Sequence, residues 1–256
     1  MPSIPIDVLQ DILEHVDRND LATLCRVNKI FCSYSRDVLY RNIYDRNEAL
    51  IRTLAQSTDL ARRVRSFQTA NDYPELATAL RNMSSLRRLK YAGLDRDDSI
   101  LDGCTEWTFK LDSLETTLFY SESLRKFLNS QPSLTEIEFH VDSQYSDSRF
   151  EATCLPNLTR VAANPSWIRT FIQGRPVREV MMRLPRSEDL FDLSSFTLST
   201  APIRKLCISH VYLYHGPISL LVPIFPSLVH LVLDFNRMGP EGPTTVRRLP
   251  FHLLIQ

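Results

Sequence analysis

Glycine is scarce in this chain, six among 256 residues. Loops that cradle phosphate need several glycines, and neither G-x-x-x-x-G-K-[ST] nor G-x-S-x-G occurs. Cysteine is also sparse. The five residues Cys25, Cys32, Cys104, Cys154 and Cys207 are odd in number and form no C-x-x-C pair. That usage excludes a disulfide scaffold and predicts reduced thiols in the cytosol or nucleus, so the sequons at Asn82 and Asn157 go unused. No apolar run approaches the roughly eighteen residues of a membrane span, and no basic segment precedes an apolar one as in a secretion signal. Neither sign of charge dominates, since 30 basic and 30 acidic side chains cancel. A basic sector at Arg62, Arg63, Arg65, Arg87, Arg88 and Lys90 lacks a row of stacking aromatics, which argues against nucleic acid. The six histidines never form H-E-x-x-H. No catalytic, cofactor or metal residue can be named, and the chain does not read as an enzyme. One acidic loop, Asp95–Glu106, spaces its acids partly like a calcium loop. Ile100 stands where the sharp turn needs glycine, so it reads as a solvated connection.

What is present begins at once. "IPIDVLQDILEHVDRNDLATLCRVNKIF", from Ile4 to Phe31, holds three helix-like pieces in fewer than about thirty residues. Pro5 suits a first helical turn and Asp7 the positive end of the helix dipole. Val8, Leu9, Ile12, Leu13 and Val16 then form one continuous apolar stripe. Asp17 or Asn19 can cap a second helix carrying Leu21, Leu24 and Cys25. Asn28 can cap a third carrying Ile30, Phe31, Tyr34, Val38 and Leu39. Three short helices enclose little volume, so part of their apolar surface needs cover from outside.

These residues resemble an F-box. Ile4-Pro5 stands for its Leu-Pro, Asp7-Val8-Leu9 for its acidic-apolar-Leu and Ile12-Leu13 for its apolar pair. Asp20-Leu21 stands for its Asp-Leu, with Val27 and Phe31 as later anchors. Two departures stand out: Ile replaces the opening Leu, and "LYRNIY" (Leu39–Tyr44) replaces a late Trp. The resemblance implies docking on a Skp-family adaptor, and through it a cullin-RING ligase. The docking face would be Ile4, Pro5, Val8, Leu9, Ile12, Leu13 and Val16, supported by Leu21, Leu24, Val27 and Phe31.

The rest of the chain repeats. "VRSFQT" (Val64), "LRRLKY" (Leu86), "LETTLF" (Leu114), "LTEIEF" (Leu134), "LTRVAA" (Leu158), "VREVMM" (Val177), "IRKLCI" (Ile203) and "LVHLVL" (Leu228) start 19 to 28 residues apart. Most carry apolar residues at the first, fourth and sixth places, like the L-x-x-L-x-L core of a leucine-rich repeat. Thr117 breaks the third unit. Helix-like pieces lie between: "YPELATALRNM" from Tyr73, "SESLRKFLNS" from Ser121, "PSWIRTFIQG" from Pro165 and "PISLLVPIF" from Pro217. The period is too short for most βαβ crossovers, which favours a solenoid over an ordinary α/β domain.

The expected fold class is α/β. An N-terminal three-helix F-box spans 1–44, and a connecting helix and cap spans 45–59. A leucine-rich-repeat solenoid follows over 60–256, a horseshoe of about eight irregular repeats with parallel strands on its concave face. "RRLPFHLLIQ" stops at Gln256 on apolar residues, so the chain is a fragment or its tail folds back. Third, fifth and seventh places face the concave side. They include Ser66, Gln68, Arg88, Lys90, Glu136, Glu138, His140, Arg160, Glu179, Met181, Arg183, Lys205, His230 and Asp234, a polar surface for an unknown target protein. His140 and His230 fall there as surface residues rather than metal ligands. The resemblance implies a substrate receptor of a ubiquitin ligase of this kind, acting in the cytosol or nucleus. The alternative is a freestanding repeat scaffold whose first helices only cap the repeats.

Overall fold

The computed structural model describes residues 5–45, 47–93, 99–101, 107–140, 154–183, 193–209, 224–235 and 245–250. Ile4, most of the Asp95–Glu106 loop, most of the helix-like piece from Pro217 and the tail from Phe251 lie outside them. The side chains of Arg183 and Asp234 do too. The chain divides into two compact units, Met1–Asp95 with Ser99–Leu111, and Arg96–Asp98 with Asp112–Gln256. Among the described residues no helix is long and apolar enough to cross a membrane.

The first unit opens with α1 (Ile6–Glu14), α2 (Arg18–Leu24) and α3 (Lys29–Arg41). Asp17 starts α2 by position alone, whereas the Asn28 side chain accepts from the Phe31 N–H and caps α3. Next come β1 (Asn42–Asp45), α4 (Glu48–Gln56), α5 (Thr58–Ala61), β2 (Ser66–Thr69), α6 (Leu76–Asn82) and β3 (Arg88–Tyr91). β1, β2 and β3 are parallel neighbours, with Asn42 opposite Ser66 and Ser66 opposite Arg88.

β1 is a correction to the sequence reading, which ran helical structure on past Arg41. The boundary expected at residue 44 falls inside this strand. By its pairing with β2, the first, fourth and sixth places of "YRNIYD" are Tyr40, Ile43 and Asp45. Only Ile43 of the three is an aliphatic buried anchor, so the strand signal is faint.

The second unit contains β4 (Ser113–Thr116), α7 (Glu122–Asn129), β5 (Glu136–Phe139), β6 (Arg160–Ala163), α8 (Pro165–Ile172) and β7 (Glu179–Arg183). β8 (Lys205–Ser209), β9 (His230–Phe235) and β10 (Thr245–Pro250) complete it. β4 to β9 pair in parallel and in chain order. β10 runs back antiparallel along β9, with Thr245 opposite Phe235.

Register corrects the third sequence unit. Ser113 pairs with Glu136 and Leu114 with Ile137, so its first place is Leu111 and its pattern is "LDSLET", not "LETTLF". Leu111, Leu114 and Thr116 are its buried first, fourth and sixth residues. With that frame the eight units start 22, 25, 23, 24, 19, 26 and 25 residues apart. The core follows the same rule. In all eight units, every described first, fourth and sixth side chain is no more than 7% exposed. Thr116 fills a core place because its hydroxyl accepts from the Leu118 N–H, which removes the cost of burying it unpaired.

Hydrogen bonds at the second place mark each step as well. In the second unit, the N–H of Thr135 donates to Asp112 O, Thr159 to Thr135 O, Arg178 to Thr159 O, Arg204 to Arg178 O and Val229 to Arg204 O, at 2.8–2.9 Å. Each strand therefore enters the sheet at one fixed place in its sequence unit. Between strands, α7 is capped by Ser121 and α8 by Asn164, each side chain accepting from a backbone N–H three residues on. α8 ends before Gly174, whose φ of 73° is the left-handed conformation glycine adopts without strain.

Candidate functional site

The three N-terminal helices carry two apolar faces, not the single stripe the spacing suggested. Leu9, Leu13 and Leu21 meet in a buried cluster, with Val16, Leu24, Phe31, Tyr34, Val38 and Leu39 packed around it. These side chains hold the helices together. Other large aliphatic side chains stay wet: Ile6 is 59% exposed, Val8 44%, Ile12 51%, Val27 59% and Ile30 61%. Val8 and Ile12 are four residues apart on α1, as are Leu9 and Leu13, so the helix turns one pair outward and the other inward. Of the residues expected to dock a partner, Pro5, Val8, Ile12 and Val27 are exposed. Leu9, Leu13 and Leu21 lie inside, and Val16, Leu24 and Phe31 are half-buried. Ile6 and Ile30 are exposed too; the motif gave them no part, and only their exposure reveals them.

Polar contacts hold this arrangement. The Arg18 guanidinium donates to Leu39 O at 3.2 Å, and Arg41 pairs with Glu14. The hydrogen bond from Arg41, helped by its charge, holds the Glu14 carboxyl below its ordinary range. Arg63, after α5, pairs with Asp37 of α3 and donates to Ser33 O at 3.1 Å. A cleft of about 400 Å³ beside it is lined by Cys25, Arg26, Asn28, Lys29, Cys32, Ser33, Arg36 and Arg63. Burial pushes the Cys25 thiol up, so this cysteine is packed as a small apolar group rather than activated as a nucleophile.

The strand faces form the second surface, and pairing sorts it into rows. In the second unit one row runs Ser113, Glu136, Arg160, Glu179, Lys205 and His230. Its signs alternate. Arg160 lies 3.6 Å from Glu136 and Lys205 3.3 Å from Glu179, so these charges neutralise one another within the sheet. The adjacent row runs Glu115, Glu138, Ala162, Met181, Cys207 and Val232. Ala162 is buried, and the last three members, all half-buried, make a small apolar strip. Ala162, Cys207 and Val232 carry no charge or hydrogen-bonding pattern of their own, which is why sequence reasoning passed over them. In the first unit Arg88 is exposed and Lys90 half-buried. There, pairing also places Tyr44, 70% exposed, beside Gln68.

A family model described as the F-box domain matches residues 1–42. It covers α1, α2 and α3 and ends at Asn42, the first residue of β1. No curated protein matches the chain. F-box domains bind Skp-type adaptors within cullin-RING ubiquitin ligases, and proteins that carry them are generally adaptors rather than enzymes.

Proposed function

We propose that this chain is the substrate receptor of a Skp-adaptor, cullin-RING ubiquitin ligase, and that its later units are degenerate leucine-rich repeats that hold the target. One observation carries the adaptor half. Ile6, Val8 and Ile12 of α1, Val27 in the turn after α2 and Ile30 of α3 stay exposed, while Leu9, Leu13 and Leu21 are buried. Aliphatic side chains left in water at this density in so small a module suit a partner's surface. Cys25, Cys32, Cys154 and Cys207, the described cysteines, are in no disulfide, which fits a reducing compartment. The chain itself transforms nothing in this reading; it brings a target to a separate conjugating subunit.

The test is direct. Mixed with a purified Skp-type adaptor at about 10 μM, the full chain should elute with it as a single complex. Separate elution of the two proteins would favour the alternative, a freestanding repeat scaffold with no ligase role.

The target half is assigned to the strand face of the second unit. Since its charged row is largely self-neutralised, the half-buried apolar strip Met181, Cys207 and Val232 offers the surface a partner gains most by covering. Met181 is its adaptable member. A Met181→Glu chain isolated from cells with blocked ligase activity should lose its specific co-purifying protein at least about tenfold. Adaptor recovery should be unchanged. A protein retained equally by both chains binds elsewhere.

A further inference from the structure

The cleft beside Arg63 in the first unit is lined by the cations Arg26, Lys29, Arg36 and Arg63, and by no carboxylate. The local sequence puts them there. Lys29, Cys32, Ser33 and Arg36 follow at spacings of three, one and three, so one face of α3 carries all of them. Arg26 stands in the turn between α2 and α3, and Arg63 in the turn after α5. The positive end of the α3 dipole falls at Lys29 as well. Cys25 and Cys32, both half-buried, add surface without charge.

Charge accounting leaves a surplus. Arg63 is the anchored member: its Nη1 donates to Ser33 O and pairs with Asp37, and its Nη2 lies 3.3 Å from Asp59 Oδ2. Neither of these acids lines the cleft. Arg63 Nε is buried without a hydrogen-bond partner among the described residues, and a buried donor left unpaired is costly. Arg26, Lys29 and Arg36 are exposed and form no ion pair with a described carboxylate. Cations gathered around a concave site repel one another and focus a positive potential into it. The fitting ligand is therefore an anion with several acceptor atoms. A phosphoryl group brings three strong acceptor oxygens and nearly two negative charges near neutral pH, and guanidinium forks match its geometry. A carboxylate brings one charge and two oxygens, so it meets fewer of these donors.

We propose that this cleft binds a phosphoryl group, held by Arg26, Lys29 and Arg36, with Arg63 fixing the wall behind them. The three holding side chains are exposed, so the group can arrive free in solution or on a protein segment. The proposal does not depend on the ligase reading, because it needs neither the adaptor nor the strand face. Sequence alone hid the site. Arg63 is 27 residues beyond Arg36, and only the fold sets the turn after α5 against α3.

Isothermal titration calorimetry of the full chain at about 50 mM NaCl tests it, with pyrophosphate, inorganic phosphate and a short alanine-glycine peptide carrying one phosphoserine as probes. One equivalent of pyrophosphate should bind with a Kd of about 1 mM or tighter, and at least about tenfold more weakly in about 0.5 M NaCl. A Lys29→Ser, Arg36→Ser chain should lose at least about tenfold in affinity. It should melt within about 2 °C of the parent, since neither side chain has an ion-pair partner to give up. Arg88→Ser, which removes an equally exposed arginine of the same unit, should bind as the parent does. A phosphoserine peptide that binds at least as tightly as inorganic phosphate, while its serine form does not bind, assigns the site to a phosphorylated segment. Pyrophosphate and phosphate binding with the peptide ignored assigns it to a free phosphate. If no probe binds with a Kd of about 1 mM or tighter, or if binding survives Lys29→Ser, Arg36→Ser, the proposal is overturned and the cleft is a solvated basic surface.

Discussion

A Val8→Asp, Ile12→Asp chain should fail to capture the adaptor while melting within about 2 °C of the parent chain. Both side chains are already wet in the free chain, so the folded state gives up little when they become polar. Aspartate at position 8 even falls in the first turn of α1, where the helix dipole favours it. The bound state loses much more. Covering each aliphatic side chain contributes roughly 1 kcal/mol, after allowing for the part already buried. A carboxylate trapped in the same apolar contact adds a desolvation cost of about 1–3 kcal/mol. Together these predict a loss of at least about a hundredfold in affinity. Leu13→Ala makes the contrast. Leu13 is 1% exposed inside the cluster with Leu9 and Leu21, and its truncation should cost about 2–5 kcal/mol of folding stability. It should lose the adaptor too, but with loss of helical circular dichroism. If the aspartate pair binds like the parent chain, the docking face is not the exposed side of α1.

Much of this was legible because two periods are simple. The first, fourth and sixth places of each unit point inward in a strand followed by a turn, and the structure buries them. Helix starts were legible for a local reason: Asn28 and Ser121 each need only a backbone N–H three residues on. Faces were harder. Five apolar residues from Val8 to Val16 fit one stripe by spacing, yet α1 is a narrow cylinder and cannot bury adjacent residues such as Val8 and Leu9 against the same neighbour. Which one turns inward depends on α2 and α3, and no local pattern states it. The third unit failed differently. Thr116 is a core residue with a polar side chain, so an apolar pattern starts the unit at Leu114 and takes Glu115 off the strand face. Contacts between distant units were invisible altogether, and the alternating ladder from Glu136 to Lys205 emerges only once the strands are in register.

Replacing Arg175 should cost the second unit heavily. Nothing in the sequence marks it: it follows Gly174 as an ordinary basic residue after a helix. Yet its side chain is 0% exposed, a rare placement for a guanidinium. The reason lies in the backbone around it. α8 ends with carbonyl groups that have no helical partner, and Gly174 in its left-handed conformation turns the chain so that Arg175 points back beneath them. Its Nη1 donates to Thr170 O at 2.7 Å and to Gln173 O at 3.2 Å, while Nε donates to Cys154 O at 2.6 Å. One side chain thus closes a helix end and ties it to the turn that leads into β6. Burial lowers its pKa from the ordinary guanidinium value, but the group starts so high that it stays charged near neutral pH. Arg175→Ala leaves those carbonyls without their donor and opens a cavity, for a loss of about 3–5 kcal/mol. In a unit of this size that lowers the melting temperature by about 10 °C. Arg175→Met separates the two causes, since it fills the space without supplying donors. It should fall between alanine and arginine if the hydrogen bonds matter, and match arginine if packing alone does. A melting temperature within about 2 °C of the parent for Arg175→Ala would show that water satisfies the helix end as well as the guanidinium does.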